Sequence, residues 1–260
     1  MRPHPRDIMT IDNVIAALDL PAGARVNRRV PKKLLVEHGA PTAADKRRIN
    51  DGIEDVQWLA ALKPTTIGVP EFRDTAREYL EIAVLSVALR SGAQAGRLAE
   101  LIHRAVPYPV FLIVSEGYQL AISLAHKRWS HGETGATVLD GDAVAADLGT
   151  GQDGGFGQAF VDALPIARQP RANLFALYQG WMDTILALLA ARVTGTFATA
   201  GSPEHAAARR SALVDCARLD AQIAGLRAAA AKETQLARRV ELNLELKRMQ
   251  VEYSAVRAKL

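Results

Sequence analysis

The residues with the richest chemistry fall into four groups. Gly149-Thr-Gly-Gln-Asp-Gly154 has the G-x-G-x-x-G spacing that lets a backbone approach a pyrophosphate, but that chemistry needs a firm strand before the first glycine and a helix opening at the last. Ala143 to Leu148 is a poor strand by composition, so a loop is the expected reading. His126 and His131 flank Lys127-Arg-Trp-Ser130, with no cysteine or third spaced ligand beside them, which falls short of a zinc site. Ser115 and Ser123 lie near Glu116 and His126, yet neither serine sits in a nucleophile-elbow pattern. Glu71, Asp74 and Glu81 are the acids before and at the first central strand, but the hairpin that follows has no acid-x-lysine pair to hold Mg²⁺ against a phosphate. No catalytic residue, metal site or cofactor is therefore assigned, and the reading leans away from an enzyme.

Two groups suit binding. Arg25, Arg28, Arg29, Lys32 and Lys33, with Lys46, Arg47 and Arg48 further on, form a basic cluster able to face phosphates of a nucleic acid. Glu37, Asp45 and Asp51 balance it in part. The second group is an apolar seam near the C-terminus. Cys216, Leu219, Ile223, Leu226, Ala230, Ala237 and Val240 keep one helical phase, and Leu242, Leu246, Met249, Tyr253, Val256 and Leu260 keep another. An apolar stripe of that length requires a partner helix, from this chain, a second copy or another protein. The shift between phases marks a register offset or a change of partner.

These groups need elements to hold them. Val110 to Val114 and Gln119 to Ala125 are two apolar, strand-like runs around Ser115-Glu-Gly117, which predicts a β-hairpin with a buried face. Tyr79 to Leu89 predicts a strand and Arg97 to Val106 a helix, so this strand and the one at Val110 are expected to run parallel through a crossover. Ile11 to Leu20 has helical spacing. Thr42 caps a helix whose stripe, Ile49, Ile53, Val56 and Ala60, predicts continuation to Lys63-Pro64. Thr137 to Leu139 and Ala143 to Leu148 predict a ragged edge strand, Phe156 to Leu164 a short helix, and Arg171 to Ala191 a long buried one with a stop at Gly195. Ser202-Pro203-Glu204 then starts a helical run to Leu260 with no internal proline. The expected fold is mixed α/β: a small mixed β-sheet with packed helices over 1–200, followed by a long C-terminal helix or coiled coil over 201–260.

Of 260 residues, 49% are hydrophobic and 23% charged, as in ordinary globular proteins, and a net charge of +4 permits an acidic partner without requiring one. The single cysteine, Cys216, excludes an internal disulfide and suits a reducing, cytoplasmic setting. No signal peptide is read at the N-terminus, and Leu174 to Val193 carries Gln179, Gly180 and Asp183, which favours a buried helix over a membrane span.

Arg29-Val-Pro-Lys-Lys33, Ile53 to Trp58, Ala105-Val-Pro-Tyr-Pro-Val110 and Lys232 to Lys247 together resemble, in order, segments of an uncharacterised bacterial family with no assigned activity. Genes of that family stand beside restriction-type helicases and DNA methyltransferases in phage-defence loci. The resemblance implies an accessory component of such a system, and the missing catalytic constellation beside a strong apolar seam makes the expected reading a non-enzymatic subunit, partnered by the helicase, the methyltransferase or itself. A nucleic-acid-binding module or weak nuclease using the basic cluster is the alternative. It implies no catalytic residues.

Overall fold

The computed structural model describes residues 9–130, 132, 135–148 and 156–260. The chain divides into two compact units, 1–185 and 186–260.

The first unit is built on a six-stranded mixed sheet. Its centre is the parallel pair β5 (Ile82–Leu89) and β6 (Val110–Glu116), joined by helix α5 (Ala95–Ala105). β6 turns through Gly117, at φ +58°, into β7 (Gln119–Leu124), the hairpin expected from the alternation. On the other side β5 pairs antiparallel with β2 (Ile53–Leu62), and β2 with the edge strand β1 (Arg25–Arg29). The opposite edge is β10 (Val144–Leu148), in register from Val144 against Leu124 to Leu148 against Leu120. The ragged strand expected there is thus two elements. β9 (Thr137–Leu139) pairs instead with β8 (Lys127–Trp129), and β3 (Phe72–Arg73) with β4 (Glu78–Tyr79) in a second small ribbon.

Burial on both faces explains the near-continuous apolar runs of β5 and β6. Ala83, Leu85, Val87 and Leu89, with Val110, Leu112 and Val114, share one core with Leu35 of α2 (Lys32–Gly39), Ile49 of α3 (Ala43–Gly52) and Leu98, Leu101 and Ile102 of α5. A Cβ on Gly39 would lie 2.5 Å from the carbonyl oxygen of Leu101, so only glycine lets α2 approach α5 this closely. On the other face Phe111 meets Trp181 edge-on at 5.2 Å. Trp181 belongs to α7 (Leu174–Thr194), whose Tyr178 hydroxyl donates to Val110 O (2.8 Å) and accepts from Ala125 N–H (2.9 Å). These bonds satisfy the polar end of buried Tyr178, and Trp181 Nε1–H is satisfied by donating to Leu164 O at 2.8 Å. α7 is the one helix among the described residues long and apolar enough to cross a membrane; most of its apolar stretch is buried in the protein. The expected stop at Gly195 is in place, at φ +87°. Two short helices, α1 (Ile11–Ala17) and α6 (Gly157–Ala163), complete this unit, with a single turn, α4 (Pro64–Ile67), after β2.

The sequence reading is corrected in one place here. The helix capped by Thr42 ends at Gly52, and Ile53 to Leu62 is the second strand of the sheet. Ile53, Val56 and Ala60 continue the helical period of Ile49 by coincidence. They are buried because β2 is an interior strand.

The second unit contains the end of α7 and two long helices, α8 (Pro203–Lys232) and α9 (Leu236–Arg257). Ser202 caps α8 by accepting from His205 N–H at 3.2 Å. The expected C-terminal helical region is present, and it is interrupted once. Glu233 is extended at φ −76°, ψ 126°, and Gln235 reopens the chain as the N-cap of α9. The two helices then pack antiparallel, with Arg218 of α8 3.6 Å from Glu252 of α9.

Candidate functional site

The basic cluster gathers at one end of the sheet, and much of it is spent on the fold. Arg29 pairs with Asp55 at 2.6 Å and Lys33 with Glu37 at 3.5 Å. Lys32 Nζ donates to the carbonyls of Asn50 (3.1 Å) and Ile53 (3.0 Å). Arg90, at the end of β5, reaches the same carbonyl of Asn50 (3.2 Å) and that of Asp51 (2.7 Å). Two cations therefore close the negative end of α3, where unpaired carbonyls accumulate. Arg25, Arg28 and Arg47 are exposed.

Asp45 organises the neighbouring surface. It is buried, and its carboxylate takes both Nε (3.1 Å) and Nη2 (2.9 Å) of Arg97, Nη1 of Arg48 (3.1 Å) and the hydroxyl of Thr42 (2.8 Å). Hydrogen bonds from Arg97 first, then Thr42, hold its pKa down at about 2. Arg48 Nε also donates to Gln94 at 2.9 Å. Arg47, Arg48 and Arg90 thereby line a depression of about 310 Å³ with Asp51 and the Ser91–Gln94 turn. A neighbouring depression of about 330 Å³ is lined by Arg29, Lys32, Glu54 and Asp55. Sequence reading missed Arg90 and the organising role of Asp45. Each depends on partners roughly 40–50 positions away, Asn50 and Asp51 for Arg90 and Arg97 for Asp45, which no local pattern displays.

The remaining polar candidates are dispersed. Ser123 Oγ lies 2.9 Å from Nε2 of His103, a buried histidine of α5, and Ser115 donates to Val87 O at 3.3 Å. His126 is buried between the Tyr79 hydroxyl, 2.5 Å from Nδ1, and Gln179, 2.7 Å from Nε2. Lys127 is buried too and donates to the carbonyls of His103 and Val106 at the end of α5. Burial first, then repulsion from Arg104, lowers its pKa to about 8. Glu81 pairs with Lys63 at 3.1 Å, Glu71 with Arg73 at 3.2 Å, and Asp74 accepts from the N–H groups of Ala76 and Arg77. Glu116 accepts from Gly92 N–H at 2.7 Å. Among the described residues no three His, Cys, Asp or Glu side chains gather as a metal site. The Gly149–Gly154 stretch and His131 lie outside the described residues.

The C-terminal seams have two different fates. Leu219 and Ile223 are buried on α8 and Leu226 is half-buried. Leu242, Leu246, Met249, Tyr253 and Val256 are half-buried on the side of α9 that carries Tyr253 toward Asp220 and Cys216, and Leu260, past the helix end, is half-buried too. The helix changes at Glu233–Gln235, whereas the phase shift in the sequence, between Val240 and Leu242, falls within α9. Val240, assigned to the first seam, instead lies exposed beyond the turn. With Leu236, Leu244 and Val251 it forms a stripe that spans an arc of about 80° at 3.6 residues per turn, opposite the seam. The four are 66%, 50%, 56% and 67% exposed in chain order. The 4-4-7 spacing of these residues was visible in the sequence, hidden beside the stronger second seam.

No curated protein and no solved structure matches the chain. Residues 18–252 match the family described as a domain of unknown function, DUF4391, and the chain belongs to that family.

Proposed function

We propose that this protein is a non-catalytic accessory subunit of a bacterial anti-phage, restriction-modification-like system, working by protein–protein contact through its C-terminal helices. One observation carries this reading: α9 keeps an apolar stripe, Leu236, Val240, Leu244 and Val251, that the fold leaves in solvent. Isolated exposed apolar residues need no explanation, but four aligned on one helix face match the anchors of a helix laid against a partner. Among the described residues, Ser115, Ser123, His126, Glu71, Asp74, Glu81 and Glu116 make contacts within the fold. The defence setting follows from the segments that resemble the family, and the partner is the helicase or methyltransferase encoded alongside.

The experiment is affinity purification of the tagged protein from cells carrying the neighbouring genes, as wild type and as the Val240→Asp/Leu244→Asp double variant. The helicase or methyltransferase is expected with the wild type and absent with the variant, at unchanged melting temperature. Equal recovery by both proteins removes the stripe from assembly. Turnover of DNA, nucleotide or ester by the purified protein, abolished by one acidic or serine substitution, overturns the non-catalytic reading.

A further inference from the structure

We infer that the depression between α3 and the turn leading into α5 is a binding site for a phosphate group of a nucleic-acid strand. This inference stands apart from the assembly reading and shares no residue with it.

The place is the first argument. β5 and β6 are the parallel pair of the sheet, and the depression opens where β5 ends, with Arg90 the first residue past Leu89. In open α/β sheets the carboxyl ends of parallel strands leave a crevice in which ligands sit, because the chain must leave the sheet there to begin the crossover. The turn is fixed on both sides. Gly92 takes φ +79° and donates its N–H to Glu116, at the carboxyl end of β6. The volume of about 310 Å³ is at the low end of the range for small-ligand sites.

Charge is the second argument. Arg47, Arg48 and Arg90 line the depression against a single lining carboxylate, Asp51. Arg90 is held by the carbonyls of Asn50 and Asp51, and no carboxylate among the described residues forms an ion pair with it. Arg48 is held from behind by buried Asp45 and from the side by Gln94. Planar guanidiniums already fixed in place lose little entropy on binding, and their paired N–H groups match phosphate oxygens. Arg47, exposed in the middle of α3, is the third cation.

Two sources share this chemistry: the terminal phosphate of a strand and a phosphate within its backbone. The test titrates the full chain at low salt with a fluorescent single-stranded decanucleotide carrying a 5′-phosphate, the same strand without it, and inorganic phosphate as competitor. Wild type is compared with Arg47→Ala, Arg47→Lys and Arg90→Gln, and with Arg239→Ala on α9 as a charge-matched control. Thermal melts confirm that each variant is folded. Arg47→Ala is expected to weaken binding at least tenfold and Arg47→Lys less, with Arg239→Ala unchanged. A tenfold preference for the phosphorylated strand identifies the terminal phosphate, and equal affinity identifies a backbone phosphate, with a steeper salt dependence. Absence of binding to both strands at low salt overturns the inference. Equal losses in Arg47→Ala and Arg239→Ala overturn it as well, since they would mean diffuse attraction to a basic chain.

Discussion

The sheet unit and the C-terminal hairpin spend their apolar residues differently. In the sheet, Ile82 to Val87 and Val110 to Val114 are buried on both faces, and the polar ends of Tyr178 and Trp181 are matched to backbone groups. In the hairpin, α8 buries Ala212, Cys216, Leu219 and Ile223, while α9 buries no residue fully despite two apolar sides. The sheet's sequence is accounted for by its own fold. The sequence of α9 is accounted for only in half, by its seam toward α8. Surface that folding leaves unused is therefore the place to test for function.

The comparison can be broken most forcefully in the sheet. Trp181→Ala removes a buried ring packed on Phe111 and leaves Leu164 O with only the long 3.5 Å bond from Gln169 Nε2. We expect a loss of about 3–5 kcal/mol in denaturant unfolding. A loss below about 1 kcal/mol would show that the face covered by α7 is not a packed core. Gly39→Ala comes next. Its new Cβ would sit 2.5 Å from Leu101 O and 2.7 Å from Ala105 Cβ, both fixed by α5. Forcing α2 away should cost about 1–3 kcal/mol, where an exposed helical glycine would gain from the same change.

How much of this was legible in the sequence follows the same division. The hairpin Val110 to Leu124 and its parallel partner could be read because both have strand-length apolar runs bounded by turn residues. β1 could not: four of its five residues are polar, and its pairing to β2 is visible only in space. β2 was taken for helix because its buried residues fall in step with Ile49, and Ala60 and Ala61 have no strand preference. The break between α8 and α9 has neither glycine nor proline, and the phase shift in the sequence falls several residues past it, between Val240 and Leu242. The candidate site was half legible. The basic residues of β1, α2 and α3 were countable, but which of them the fold neutralises was not.

The pH response sharpens the contrast because the strongest internal titration belongs to the sheet. His103 is buried beneath β7, and burial lowers its pKa to about 3 from an ordinary value near 6.5. Between those values the unfolded chain takes up a proton that the folded chain refuses. Stability is therefore full above about pH 6.5 and falls as the pH drops toward 3. We expect about 1–2 kcal/mol to be lost between pH 7.5 and 5, and the loss to shrink in His103→Gln. Asp45 does not confuse the reading, since its lowered pKa acts only below about pH 4. Lys127, lowered to about 8, acts on the alkaline side. Equal pH dependence in wild type and variant would show that His103 is reached by solvent protons in the folded state.

Within α9 the two sides can be set against each other. Leu246 is half-buried on the seam, and Leu246→Ala should cost about 1 kcal/mol or less of hairpin stability, less than a fully buried truncation. The smallest effect is expected from Leu244→Asp, two positions away on the outer stripe. Leu244 is 56% exposed, so an aspartate there stays hydrated and pays no burial penalty. It also lies in the middle of α9, away from both ends, where the helix dipole adds little. Its effect on stability should stay within about 0.5 kcal/mol, the usual range for surface positions. Capture of a partner should nevertheless fail, because a charge at the centre of an apolar anchor row must be desolvated on binding. The informative measurement is therefore the ratio of the two variants in two assays. Leu246→Ala should lower the melting temperature more than Leu244→Asp, and Leu244→Asp should lower partner recovery more than Leu246→Ala. If Leu244→Asp instead destabilises the hairpin as strongly as Leu246→Ala, the outer stripe is packed within the chain itself and α9 has no face left to offer.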